Sequence, residues 1–77
     1  MIKEGSIVKA KAGRDKDGLF VVVRLEGQYA YIANGKRRKV ESPKKKKLIH
    51  LQHTNCYANT YNTNREIKNI IKEFGGL

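Results

Sequence analysis

The chain has no tryptophan, a single cysteine, a single proline and only seven acidic residues. Each shortage excludes something. The lone Cys56 cannot close an internal disulfide, so a reducing cytoplasm is the expected compartment. No apolar run of the kind a secretory signal needs follows Met1, and no stretch approaches membrane-spanning length. The aromatics are four tyrosines and two phenylalanines, few for the clustered aromatic groove that binds peptides. The acids are scattered and show no pairing pattern. General acid–base chemistry needs positioned groups in a water-poor site, so no enzyme activity, cofactor or small-molecule substrate is expected.

What the chain has is positive charge. Seventeen Lys and Arg leave a formal net charge of +10 over 77 residues. Self-repulsion at that charge disfavours compaction, and a polyanionic partner relieves it through attraction and counterion release. Nucleic acid, an anionic membrane surface and an acidic protein are the candidate partners. A domain of this length buries only about 60% of its unfolded surface, so its core is thin and binding is expected on a surface.

Residues 5–51 read as strands. Val8, Ala10 and Ala12 alternate with Lys9 and Lys11, the period of a half-buried strand. The turn-forming run 13–18 breaks it. Leu19 to Leu25 is nearly all apolar, which predicts a strand covered on both faces. After Glu26-Gly27, residues 28–33 put Tyr29 and Tyr31 on one face and Ala30 and Ile32 on the other. Asn34-Gly35 predicts a type I′ hairpin, with a fourth strand over Lys36 to Val40 that Ser42-Pro43 ends. Leu48 to Leu51 is a short fifth strand. Five short strands with tight turns predict a small, strongly bent barrel over residues 1–54.

Residues 55–62 read as a polar linker, the core of an Asn- and Thr-rich stretch that begins at 52. A helix over 63–75 follows. Thr63 and Glu66 form a capping box, and Ile67, Ile70, Ile71 and Phe74 make an apolar stripe. So short a helix is marginal alone and must pack on the barrel or on a partner.

The candidate binding residues lie in three basic segments. Arg14 and Lys16 lie beside flexible glycines in the 13–18 loop, where backbone N–H groups and cations suit a phosphate; a plain solvated turn is the alternative. Lys36, Arg37, Arg38 and Lys39 alternate along the predicted fourth strand, so at least one pair faces outward. The alternative there is an edge strand blunted by charge. Lys44, Lys45, Lys46 and Lys47 are four consecutive ammonium groups, read as a loop that positions phosphates without specifying sequence. His50, beside that run, is a further phosphate contact. Tyr29 and Tyr31 suit base stacking or rim packing. His50, His53 and Cys56 are spaced by three, but a structural zinc site wants a fourth ligand that nothing nearby supplies.

The residues also resemble a family. Gly5-Ser6-Ile7-Val8, Gly13-Arg14-Asp15-Lys16 and Phe20-Val21-Val22-Val23 look like a KOW motif, a strand, a basic glycine-containing loop and a second strand. The likeness continues through Tyr29 to Ile32, Asn34-Gly35, Lys36 to Lys39 and Lys47-Leu48-Ile49-His50-Leu51. Over residues 5–54 the chain resembles the KOW-containing large-subunit ribosomal proteins of archaea and eukaryotes and their small bacterial relatives. It departs at Phe20, where many members carry glycine, and at Asp17-Gly18, where the loop glycine falls one place late. The resemblance implies an SH3-like barrel, RNA binding and a ribosomal RNA ligand, with ribosomal proteins as neighbours.

The expected function is therefore electrostatic clamping of structured RNA in the translation apparatus. A protein-interaction module of the transcription or translation machinery is the alternative. DNA binding is disfavoured because no helix-turn-helix is present, and Arg65, Lys68 and Lys72 are balanced by Glu66 and Glu73. Membrane binding is disfavoured because the cations lie on strands and loops rather than on a cationic amphipathic helix.

Overall fold

The computed structural model describes residues 1–75. The chain is mainly β, with strands β1 (Ser6–Ala10), β2 (Leu19–Glu26), β3 (Tyr29–Ala33), β4 (Lys44–Lys47) and β5 (Leu51–Tyr57). A single 3₁₀ turn, Leu48–His50, separates β4 from β5, and one helix, α1 (Asn64–Gly75), follows. All pairings are antiparallel, in the order β4-β3-β2-β1-β5.

That order explains the bend. β4 and β5 are the two edges of the sheet, yet one 3₁₀ turn joins them. In a flat sheet the outer strands of five lie about 19 Å apart, at about 4.8 Å per step. A three-residue 3₁₀ turn advances only about 6 Å. The sheet therefore curls until its edges approach. The turn is tied to both sides: Leu48 N–H donates to the Gln28 carbonyl at 2.9 Å, and Lys11 N–H to that of His50 at 2.8 Å. Register shifts in β2 between Val22 and Arg24, and in the β1–β5 pair, supply local curvature. The result is an open barrel: β4 and β5 form no ladder with each other.

The inner face is filled by Val8, Ala10, Phe20, Val22, Ala30, Ile32 and Leu51. Alternation along β1 and β3 places these side chains as the sequence predicts; β2 is fully buried on both faces only over Phe20 to Val22, and the exposed Arg24 departs from the doubly covered strand expected over Leu19 to Leu25. The outer face presents Ile7, Val21 and Ala33, and α1 lays the fully buried Ile67 on them. Burying one such side chain contributes about 1.5 to 3 kcal/mol, enough to hold a helix this short. The capping box forms: Glu66 N–H donates to Thr63 Oγ1 at 3.2 Å, and Thr63 N–H to Glu66 Oε1 at 3.1 Å. Phe74, the last residue of the apolar stripe, stays 37% exposed.

Three expectations are corrected. Lys36 to Val40 is a loop, not a strand. Asn34 Oδ1 accepts from the N–H groups of Lys36 at 2.9 Å and Arg38 at 3.0 Å, and these side-chain bonds replace a hairpin ladder. Lys44 to Lys47, read as a loop, is strand β4, paired through Lys44 with Ile32 and through Lys47 with Tyr29. Residues 51–57 form strand β5, so 55–57 are not linker and the fifth strand is not 48–51.

Candidate nucleic-acid interface

Alternation splits the lysines of β4. Directly paired residues share a face, so Lys45 and Lys47 stand with Tyr31 and Tyr29 on the outer face. Lys46, opposite Ala30, turns inward. Its Nζ donates to the Ala12 carbonyl at 2.8 Å and lies 4.0 Å from Asp15 Oδ2, with the side chain only 10% exposed. Arg38 Nη2 donates to the same Asp15 oxygen at 3.1 Å. Asp15, itself buried, thus ties the 13–18 loop, the 34–43 loop and β4 into one knot. Of the predicted binding residues, Arg38 and Lys46 are committed to this knot. Arg38 Nε is also buried, with no partner of its own.

The other predicted cations face water. Arg14, Lys16, Lys36, Arg37, Lys39, Lys44, Lys45 and Lys47 are all exposed. Among the described residues none of them has a carboxylate within ion-pair distance. The reason lies in the acids. Glu66 caps the helix, Asp15 holds the knot, and Asp17 approaches Lys9 at 3.9 Å. Glu26 accepts from the Tyr31 hydroxyl at 2.8 Å, Glu4 from Leu25 N–H at 3.4 Å, and Glu41 from Asn64 Nδ2 at 2.7 Å. Six of the seven acids in the chain are therefore engaged by the scaffold rather than in ion pairs with these eight cations. The Asn64 bond, with its own backbone and Lys39 adding smaller effects, holds the Glu41 carboxyl below its ordinary range.

The outer face adds aromatics to charge. Lys45 Nζ lies 4.5 Å from the centroid of the Tyr29 ring, and Arg24 Cζ 4.3 Å from that of Tyr31. Each contact contributes about 0.5 to 1 kcal/mol at an exposed site. With the Tyr31 hydroxyl fixed by Glu26, the exposed Arg24 is held in place, and a guanidinium plane of this kind accepts a stacked base. Beside it a shallow depression of about 440 Å³ is lined by Val23, Arg24, Tyr31, Val40 and Pro43. Sequence reasoning missed Arg24. Its position opposite Tyr31 follows from the β2 register shift, which has no local signature.

The remaining candidates are set apart from this face. His50 is half-buried on the 3₁₀ turn, where its carbonyl is engaged by Lys11. His53 Nε2 lies 3.0 Å from the Tyr57 hydroxyl, and Lys3 Nζ sits 4.6 Å from the Tyr57 ring centroid. Among the described residues no helix is long and apolar enough to cross a membrane. In comparisons with known proteins, no protein-family model matches the chain and no curated protein matches its sequence.

Proposed function

We propose that this chain binds structured RNA through the outer face of β3 and β4 and the two basic loops beside it. The observation that carries the reading is the division of labour among charges. Six of the seven acids are engaged by the scaffold, while Lys45 and Lys47 on β4, Arg14 and Lys16 on one loop, and Lys36, Arg37 and Lys39 on the other stand exposed with no carboxylate within ion-pair distance among the described residues. Exposed cations of this kind neutralise phosphates and release counterions on binding. Phosphate contacts fix position, and the Arg24–Tyr31 pair offers a stacking surface for an unpaired base. The KOW resemblance agrees with this reading and makes ribosomal RNA in the cytoplasm the first ligand to try, with the translation apparatus as the setting.

A salt-titrated assay comparing a folded RNA, a single-stranded RNA and a DNA duplex tests it. The expected result is preference for folded RNA at every salt, with log K falling against log salt at a slope of about −3 or steeper. Equal binding to all three, or none at physiological salt, assigns the charge to another partner. A nearly salt-independent protein contact would then be the reading to pursue.

A further inference from the structure

Helix α1 carries a second cationic surface that the sequence reading set aside as balanced. Arg65, Lys68 and Lys72 are all exposed and follow one another at helical spacing. At about 100° per residue they fall within about 60° of one another round the helix, while Glu66 lies about 100° and Glu73 about 80° away from Arg65 on the side opposite to Lys68 and Lys72. Glu66 is moreover drawn to the N–H groups of Asn62 and Thr63. The three cations and Lys36 rim a groove of about 770 Å³ whose apolar floor is Leu19 and Ile71. No carboxylate among the described residues lines it.

The groove is built before any ligand arrives. Gly35 presses against the helix so closely that a Cβ there would lie 2.5 Å from the Asn64 carbonyl oxygen and 2.7 Å from Lys68 Cγ. Val40 N–H donates to Asn64 Oδ1 at 2.7 Å, which locks the 34–43 loop to the first turn. The backbone of both walls is therefore fixed before binding, and only the exposed rim side chains are ordered by it, which favours affinity.

We infer that this groove takes a short single-stranded segment of the same RNA, its phosphates on the rim and a base against Leu19 and Ile71. The inference rests on the RNA-binding reading above and extends it. Charge complementarity selects a polyanion. The floor has only two apolar side chains, enough for a flat base but too few for an amphipathic helix, which needs anchors over two turns. From Arg65 to Lys72 the helix rises about 10 Å, the length of about three stacked nucleotides. Asn69, also lining the groove, offers an amide to a base edge. Lys36 belongs to both surfaces, so an RNA leaving the β3–β4 face passes directly into the groove.

The test compares one RNA hairpin with and without a single-stranded tail of about three nucleotides. The proteins are the intact chain and its Arg65→Gln, Lys72→Gln double variant, with circular dichroism as a check that the helix survives. On the intact chain the tail is expected to tighten binding roughly tenfold and to steepen the salt slope by about 2, at about 0.7 per phosphate on a single strand. The double variant is expected to lose that gain while binding the tailless hairpin as the parent does. A tail that adds nothing overturns the inference. So does a double variant that weakens both hairpins equally, since the helix would then act only as diffuse charge. A Glu-rich peptide that binds the parent but not the variant, with no tail effect, reassigns the groove to an acidic protein. If the tailless hairpin itself fails to bind the parent, the RNA-binding reading falls and takes this inference with it.

Discussion

Asp15 and Arg38 are 23 positions apart in sequence and meet at 3.1 Å in a site where the carboxylate side chain is only 6% exposed. Lys46 completes the site from β4. Removing the carboxylate leaves two cations facing each other with little water to separate them. Asp15→Asn is expected to destabilise the fold by about 2 to 3 kcal/mol, below the full value for a buried pair because Arg38 is partly exposed. Urea unfolding measures this. A change within 0.5 kcal/mol, the usual range for about any surface substitution, would show that the knot is ornamental.

Neighbouring lysines on β4 should behave as opposites. Lys45→Glu with Lys47→Glu is expected to weaken RNA binding and flatten the salt slope by at least about 1 per residue, with stability lowered by no more than about 1 kcal/mol through the lost Lys45–Tyr29 contact. Lys46→Met is expected to do the reverse, costing about 1 to 2 kcal/mol of stability through the lost bond to the Ala12 carbonyl while sparing affinity. Reversing all four lysines together, the obvious design from sequence, would confound the two effects. Parallel unfolding and binding curves for the two variants decide the matter.

Gly35→Ala is expected to be disproportionately damaging for the addition of one methyl group. The residue has φ of +80°, and the new carbon would overlap the Asn64 carbonyl. Either the 34–43 loop or the first turn of α1 must shift. The expected loss is about 2 kcal/mol or more, read as a lowered urea midpoint. Gly27→Ala, at φ of +59° with nothing within 4 Å of the added carbon, is the control and should cost clearly less.

The bond from Asn64 to Glu41 should appear in the acid limb of the stability profile. The carboxyl is held below its ordinary value of 4.5, first by Asn64. A carboxylate with a lowered folded-state pKa contributes stability that is fully present above the unfolded value and is lost as pH falls through the folded one. The expected result is a stability that declines below about pH 4.5 more steeply for the parent than for Glu41→Gln. Superimposable profiles for the two proteins would rule the contribution out.

Much of the architecture is legible in the sequence because period and burial agree there. The alternation of Val8 and Ala10 with Lys9, the doubly apolar Phe20 to Val22, and the opposed faces of Tyr29 and Ala30 are local signals, and all three strands form. The Thr63–Glu66 capping box is equally local. The failures have a different origin. Asn34-Gly35 carries a hairpin signature, but the Asn34 side chain captures the N–H groups of Lys36 and Arg38 and makes a wider loop. Lys44 to Lys47 has poor strand propensity and pairs because β3 offers an edge. Leu51 to Tyr57 has no apolar period because only Leu51 needs burying, yet β1 pairs with it. For the candidate site, composition announces charge but not orientation. That Lys46 turns inward while Lys45 and Lys47 turn outward depends on the pairing of Ala30 with Lys46.

Strand β4 is an open edge of the sheet, and every residue in it is lysine. Two copies approaching edge to edge would set rows of ammonium groups about 4.8 Å apart, with no acid on either strand to compensate. The strand proposed to attract a polyanion thus also repels its own kind, and that repulsion opposes edge-to-edge pairing through β4 in dilute salt. Saturating polyanion cancels it. Self-association is therefore a property to look for at charge neutrality with the ligand rather than in the free protein.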